Sequence, residues 1–433
     1  MISEKYANVI GAGLAGCEAA LQLASRGIKT ILYEMKPEKY SPAHKLPTFC
    51  ELVCSNSLKS LETSNAHGLL KRELMKLKSF LIDEAFKLAL PAGKSLSVDR
   101  KLFSEKITDL IVSNKNITVK NEECVDIDDS VITVIAAGPL ISDKLFENLK
   151  RFLTADSLYF FDAIAPIIYA DSIDFENSSV IFGNRYGDLG TGDYLNILLN
   201  KKEYTEFYDR LNSAEIHNPE HFEENKFFQG CMPIERIAKS GFDTLRFGTM
   251  KPVGFNYRDG SKPFAVIQLR RENSEGSIYN MVGFQTCLKY GEQERIFRTL
   301  PGLEKAEFAR KGSMHRNSYI NSPENLSKNL NLKTFPNIFI SGQLTGVEGY
   351  VESIATGLIA GVNAANIINS QAFMILPEFS MINNLISYIT NPENSKGFQP
   401  MNANFGLMKP LNNLIKNKKE RYLKYAERSL NSF

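Results

Sequence analysis

The chain has 433 residues, 43% of them hydrophobic and 23% charged, enough for two to three domains with a substantial core. Its 51 basic residues are balanced by 49 acidic ones, which excludes a polycationic coat and leaves room for a local basic patch. No run of about 18 apolar residues occurs and no signal-peptide pattern precedes the first strand, so a cytoplasmic chain with no membrane span is expected.

The first predicted unit is the densest in information. An apolar run, Tyr6 to Ile10, is followed by Gly11-Ala12-Gly13-Leu14-Ala15-Gly16, a helical pattern ending near Gly27, a second apolar run from Ile28 to Tyr33, and Glu34. This is strand, G-x-G-x-x-G, helix, strand, acid. Gly11 makes the tight turn, Gly13 lets the backbone approach a pyrophosphate, and Gly16 permits close packing of helix on strand. The helix start offers unpaired N–H groups and a positive dipole to the anion. Glu34 suits an adenosine ribose, as in NAD or FAD, and disfavours a 2′-phosphate.

Further along, Ala66 to Leu90 reads as helical, with Leu70, Leu74, Leu77, Leu81 and Leu88 on one face. Asp99 is a predicted N-cap for a helix carrying Leu102, Phe103, Ile107 and Leu110. Val131 to Ala137 reads as a strand ending in Ala137-Gly138-Pro139. The middle of the chain alternates strand-like runs, Phe264 to Leu269 and Tyr279 to Phe284, with short helices.

A second strand-to-glycine unit comes late. Asn337 to Ser341 is a predicted buried strand, followed by Gly342, Gln343 and a helix from about Val351 that includes Glu352 and has small residues on its flank. An NAD site does not need such a distal loop, whereas FAD is long and anchored at two ends; the helix would aim its positive end at the flavin ring. The expected fold is therefore α/β. A discontinuous Rossmann-like FAD-binding domain, residues 1–150 and 330–433, would carry a smaller inserted α/β domain, residues 151–329, facing the substrate. A basic helix is expected over 416–428.

Six cysteines are scattered through the chain, at 17, 50, 54, 124, 231 and 287, as reduced thiols are. Cys50 and Cys54 form C-x-x-x-C, which is neither a thioredoxin-type pair nor half of a zinc site, and no metal site is expected. Cys54 in FCELVCSNS and Cys231 in FFQGCMPIER stand out by context. By residue type alone each reads as well as a small buried apolar side chain. Arg270, Arg271, Lys251 and Lys289 are candidates for contact with a phosphate backbone, and His315 for an anionic ligand.

The blocks VIGAGLAGCEAA, ELVCSNSLKS, PAGKSLSVDR, GCMPIE, FGTMKPVG, VGFQTCLKYGEQ, MHRNSYINSP, GQLTGVEGYVES and FQPMNANFGL run end to end in this chain. In that order they resemble the folate- and FAD-dependent RNA (uracil-5-)-methyltransferases. The resemblance implies a fold of the glutathione-reductase and GidA type. It implies FAD as cofactor, 5,10-methylenetetrahydrofolate as one-carbon donor held as a methylene on flavin N5, and NAD(P)H as reductant. It also implies a cysteine adduct at uracil C6. Carried over by motif, Cys231 is the nucleophile and Cys54 the group that takes the C5 proton; Cys17 is packing and Cys50 incidental. The RNA is expected to be tRNA, at the T-loop uridine, with 23S ribosomal RNA as the alternative, and no obligatory protein partner is implied.

Two blocks depart from the family pattern, Pro91-Ala92-Gly93-Lys94 and Asn196-Ile197-Leu198-Leu199. Neither touches the glycine loops or the cysteine motifs, so the reaction class is unaffected and the choice of RNA is what they leave open. The other readings are a wobble-uridine-modifying flavoprotein, a flavin oxidoreductase without RNA, and a non-catalytic RNA-binding flavoprotein. The first of these chains is longer than this one at its C-terminal end.

Overall fold

The computed structural model describes residues 6–154, 158–185, 192–217, 232–412 and 415–433, with the side chains of Phe160 and Phe161 left aside. A five-stranded parallel sheet runs in the order Ile338–Ile340, Thr133–Ile135, Tyr6–Ile10, Lys29–Tyr33, Ile117–Lys120. The first strand in sequence is thus central, and the chain leaves it in one direction and returns on its other side. That reversal opens a crevice at the carboxyl end of Tyr6–Ile10, where α/β sheets bind ligands.

Two helices cover the sheet's inner half, Leu14–Ser25 and Tyr350–Ile368. They pack backbone to backbone: a Cβ on Gly357 would lie 2.3 Å from the Ala15 carbonyl oxygen, and one on Gly361 2.7 Å from that of Ala19. This explains the small residues on the flank of the second helix. That helix is also the one helix among the described residues long and apolar enough to cross a membrane, and 83% of its most apolar window is buried in the protein. Its apolar faces are already spent on the core.

The segment 66–90 is two helices rather than one, Ala66–Lys76 and Phe80–Lys87. Lys78 takes a left-handed conformation, φ 59°, and the Ser79 hydroxyl accepts the Ile82 N–H, so a new N-terminus begins inside the predicted periodic run. Asp99 caps Arg100–Val112 as expected, accepting the N–H groups of Lys101 and Leu102. The predicted basic tail helix spans Lys418–Leu430, with Asn417 as its cap.

Residues 167–310 supply an antiparallel sheet of six strands among the described residues, in the order Val180–Phe182, Tyr194–Leu199, Ala265–Arg271, Ile278–Met281, Ile167–Tyr169, Phe308–Arg310. It has its own apolar cluster, built around Ile197, Phe207, Ile267, Phe284 and Phe297. Between the two sheets lies a long two-stranded ladder, Leu158–Ile164 against Ser313–Tyr319, with His315 opposite Asp162. This ladder carries the polar side chains that face the glycine turns.

Candidate active site

The first glycine turn is built as its spacing predicts. Gly11 has φ 101° and its N–H donates to the Tyr33 carbonyl at 2.8 Å. A Cβ on Gly16 would lie 1.8 Å from the Gly11 carbonyl oxygen, so only glycine allows the helix to start this close to its strand. Gly13 differs: a Cβ there meets nothing within 4 Å and would project into open space. That space is a recess walled by Gly11, Ala12, Gly13, Leu14 and Ala15 on one side and by Gly138, Gly342 and Gln343 on the other. The two distant glycine turns therefore face one cavity, and Gly342 stands so near the first turn that its Cβ would sit 3.1 Å from that of Ala15.

Glu34 closes one end of the recess. It is 7% exposed, and its carboxylate accepts the Ala12 N–H at 2.8 Å and the Lys36 N–H at 3.1 Å. The donor row of the Leu14–Ser25 helix, the bare Gly13 and a buried carboxylate at the other end of the turn are what an adenine dinucleotide requires, so the residues present fit FAD. Lys36, His44, Tyr350 and Ser353 also line the cavity and were not singled out from the sequence. Cys50, expected to be incidental, lines it as well, and its backbone N–H donates to the Ala12 carbonyl at 3.0 Å.

A second chamber adjoins the first, sharing Val53, Pro139, Leu140, Gln343 and Tyr350 with it. Cys54 stands in its wall together with Asp162, His315, Asn317, Glu348 and Glu352. The Tyr350 oxygen lies 2.9 Å from the Cys54 sulfur and accepts the backbone N–H groups of Cys54 at 2.9 Å and Ser55 at 3.2 Å. With its lone pairs facing two donors, the phenol directs its own proton to the sulfur. Burial, reinforced by Asp162, pushes the Cys54 thiol up to about 11, against the Tyr350 hydrogen bond and nearby Arg100, which pull it down. Burial and the adjacent thiol also hold the Tyr350 proton in place well past its ordinary range.

Beneath the Cys54 loop lie two cations. Arg100 donates to the Leu52 carbonyl and pairs with the buried Glu272, and Arg310 donates to the Val53 carbonyl. Arg270, predicted for RNA phosphate, is instead 7% exposed and donates to Ser55 Oγ at 2.7 Å and Asn56 Oδ1 at 2.8 Å. It is committed to holding the cysteine loop and is not available on the surface.

Glu352, predicted at the cofactor, borders the second chamber rather than the first. Its carboxylate accepts the Ala403 N–H at 2.9 Å and meets His67 Nδ1 at 3.0 Å. Burial opposes its charge, but Lys59, His67 and the Ala403 N–H outweigh that and hold it down at about 2. Glu348 behaves oppositely: burial and then Asp162 push it up to about 8, so it is protonated at neutral pH. Gly16 reaches neither cavity and serves packing, and Cys231 lies outside the described residues. Among the described residues no cluster of side chains could hold a metal ion.

The family described as glucose inhibited division protein A matches residues 6–372. A methylenetetrahydrofolate–tRNA-(uracil-5-)-methyltransferase TrmFO of Carboxydothermus hydrogenoformans is 52% identical over 427 residues, covering 98% of this chain and 97% of that protein. The chain belongs to the TrmFO family. A Streptococcus sanguinis TrmFO is 49% identical over 439 residues, covering 99% of this chain and 98% of its own. In fold the chain is similar to GidA of Aquifex aeolicus, form I crystal, with a TM-score of 0.66 at 18% identity over 98% of this chain and 78% of that one.

Proposed function

We propose that this chain transfers a one-carbon unit from 5,10-methylenetetrahydrofolate to C5 of a uridine in tRNA, using bound FAD and NAD(P)H as reductant. The observation that carries the reading is the meeting of Gly11–Ala15 and Gly342–Gln343 on one recess, with Cys54 in the chamber next door. Relatives of this length and similarity bear the name of the same reaction on tRNA.

FAD, when bound, supplies the redox chemistry that turns a methylene into a methyl group. Gly13, Leu14 and Ala15 would hold its pyrophosphate at the helix start, Glu34 its ribose, and Gly138, Gly342 and Gln343 its distal half. The chain's own residues do the rest. In this reading the Cys231 thiolate bonds to uracil C6, the C5–C6 double bond opens, and C5 becomes nucleophilic enough to take up the one-carbon unit. Cys54, as thiolate, then removes the C5 proton; the returning electron pair re-forms the double bond and expels Cys231. Tyr350 fixes the Cys54 sulfur by its hydrogen bond and lowers the cost of its charge.

Residues 1–150 and 330–433 are assigned to the cofactor half and 151–329 to the RNA-facing half. The division is supported by the parallel sheet drawing strands from both ends of the chain. Five cysteines free of disulfides among the described residues suit thiol chemistry in the cytoplasm, without an obligatory protein partner. The test supplies purified protein with NADPH, methylenetetrahydrofolate, and unmodified tRNA or 23S ribosomal RNA, and reads 5-methyluridine by nucleoside mass spectrometry. Product on tRNA is expected; product only on ribosomal RNA would reassign the substrate, and none on either would end the reading. Cys231→Ala is expected to keep the yellow colour of bound FAD and lose all product.

A further inference from the structure

The block FGTMKPVG, residues 247–254, has no part in the chemistry above, and it holds an aromatic ring in water. Phe247 is 83% exposed and Val253 47%. The loop that carries them is fastened along its length. Leu245 and Met250 are fully buried, and the Leu245 carbonyl accepts the Gly248 N–H at 3.2 Å and the Met250 N–H at 2.8 Å. The Met250 carbonyl accepts the Val266 N–H at 3.1 Å, and Arg185 donates to the carbonyls of Lys251 at 3.0 Å and Val253 at 2.6 Å. Thr249 stands so close to Gly283 that a Cβ there would lie 2.6 Å from its methyl group. Phe247 is thus held outward by anchored neighbours, not left out by a slack loop.

The surface around the ring is basic. The whole chain carries an excess of +2, and residues 243–262 alone hold four cations, Arg246, Lys251, Arg258 and Lys262, against two acids, Asp243 and Asp259. Lys251, Arg258 and Lys262 are exposed and make no ion pair among the described residues. The nearby carboxylates are engaged. Asp243 pairs with Arg246, and Asp259 accepts the Ser261 N–H at 2.9 Å and its hydroxyl at 2.6 Å. Glu203, the other acid near Tyr257, accepts the Asn200 N–H at 2.7 Å. Neither the glycine recess nor the Cys54 chamber has a residue of this stretch in its wall, which sets the surface apart from the small-molecule sites.

The strand Ala265–Arg271 ties this surface to the cysteine loop. Val266, Gln268 and Arg270 alternate onto one of its faces. At one end Arg270 holds the Ser55–Asn56 loop that follows Cys54; at the other Val266 packs with Phe255, Ile181 and Leu198. Four residues separate the two ends, about 13 Å of strand. We propose that the 247–262 surface is where the RNA docks, with Phe247 stacking on an unpaired base near the target uridine and Lys251, Arg258 and Lys262 taking the phosphates around it. This rests on the reading of the chain as an RNA methyltransferase. An aromatic platform beside unpaired cations grips single-stranded segments without reading their sequence. A protein partner is the competing occupant, but lysine is depleted in protein interfaces, whereas a lone ring set among free cations suits a polyanion that also carries flat bases.

The test titrates an unmodified tRNA transcript and a 23S ribosomal RNA fragment on the FAD-bound protein by fluorescence anisotropy over a range of salt, and measures KM for RNA and for methylenetetrahydrofolate. Phe247→Ser is expected to weaken the RNA that the parent binds more tightly by about tenfold, a loss that varies little with salt. Its melting temperature is expected to stay within about 2 °C of the parent. The triple variant Lys251→Ala, Arg258→Ala, Lys262→Ala is expected to lose about tenfold and to lower the slope of log affinity against log salt by about two. In both variants the KM for folate is expected to move less than about twofold. Unchanged RNA affinity in either variant, or a parent that binds neither RNA, overturns the proposal. So does an equal loss for folate and RNA, which would mean that the loop only supports the fold around it. If the variants weaken RNA but the parent makes no 5-methyluridine, the docking surface stands and the assigned reaction fails.

Discussion

The two adjoining cavities are made in different ways. The glycine recess is backbone work: turns at Gly11 and Gly342 with φ of 101° and 73°, a helix start, and positions where a missing side chain makes the room. The Cys54 chamber is side-chain work, with a thiol, a phenol and three carboxylates drawn from three separate stretches of chain and tuned against one another by burial. A backbone site tolerates little change of shape and is indifferent to pH. A side-chain site keeps its shape under conservative change and shifts with pH.

That contrast can be broken first at the glycines. Gly357→Leu is expected to be the most damaging change, because even its Cβ would sit 2.3 Å from backbone and force the two central helices apart. A loss of more than about 3 kcal/mol is expected, read by thermal unfolding of flavin-free protein. Gly13→Val adds comparable bulk where nothing lies within 4 Å. It is expected to leave the flavin-free melting temperature within about 3 °C of the parent while abolishing the yellow colour. If Gly13→Val retained flavin at full occupancy, the recess would not be the pyrophosphate site.

The carboxylates sharpen the other half of the comparison. Glu352 sits at about 2 in the folded chain against an ordinary 4.5. A depressed carboxylate stabilises the fold above its unfolded value, and loses that contribution as pH falls from 4.5 through 2. The full effect is on the order of 3 kcal/mol. Denaturant titrations are expected to show Glu352→Gln less stable than the parent near pH 6, with the gap closing by pH 2. A gap that stays constant across that range would mean Glu352 contributes by packing alone.

What could be read from the sequence follows the same division. The first turn and Glu34 were legible because the backbone geometry they encode is local, contained in one strand–helix–strand run. The second turn was legible for the same reason, and only its facing the first needed the fold. The Cys54 chamber was not. Tyr350 stands inside a recognised block, GQLTGVEGYVES, but its meaning depends on Cys54, 296 positions away in sequence. Glu352 was placed with the cofactor by its neighbours in sequence, and the helix turns it toward His67 and Ala403 instead. Arg270 looked like a surface cation until the strand that carries it was seen to face the Ser55–Asn56 loop. The break at Lys78 escaped because apolar spacing persists across it, and only the Ser79 cap marks the new start.

Tyr350→Phe makes the smallest structural change and tests the chamber most finely. It removes one oxygen that accepts two backbone N–H groups and donates to sulfur. The ring still fills its place, so flavin content is expected to be unchanged. Burial and Asp162 hold the Cys54 thiol up at about 11, and the phenol's hydrogen bond is one of the two influences pulling it down. Without it the thiolate is rarer at any pH below that value. On the proposed mechanism Cys54 would remove the C5 proton only as thiolate, so the rate of product formation is expected to climb with pH on its alkaline side in both proteins. In the variant that limb is displaced upward by about one pH unit, a loss of about tenfold that holds up to about pH 10 and shrinks only as pH passes about 11. A purely structural role for Tyr350 would lower the rate by one factor at every pH, and the two profiles would stay parallel even above about pH 11. The shape of the profile, more than the size of the loss, decides whether this phenol acts on the sulfur beside it.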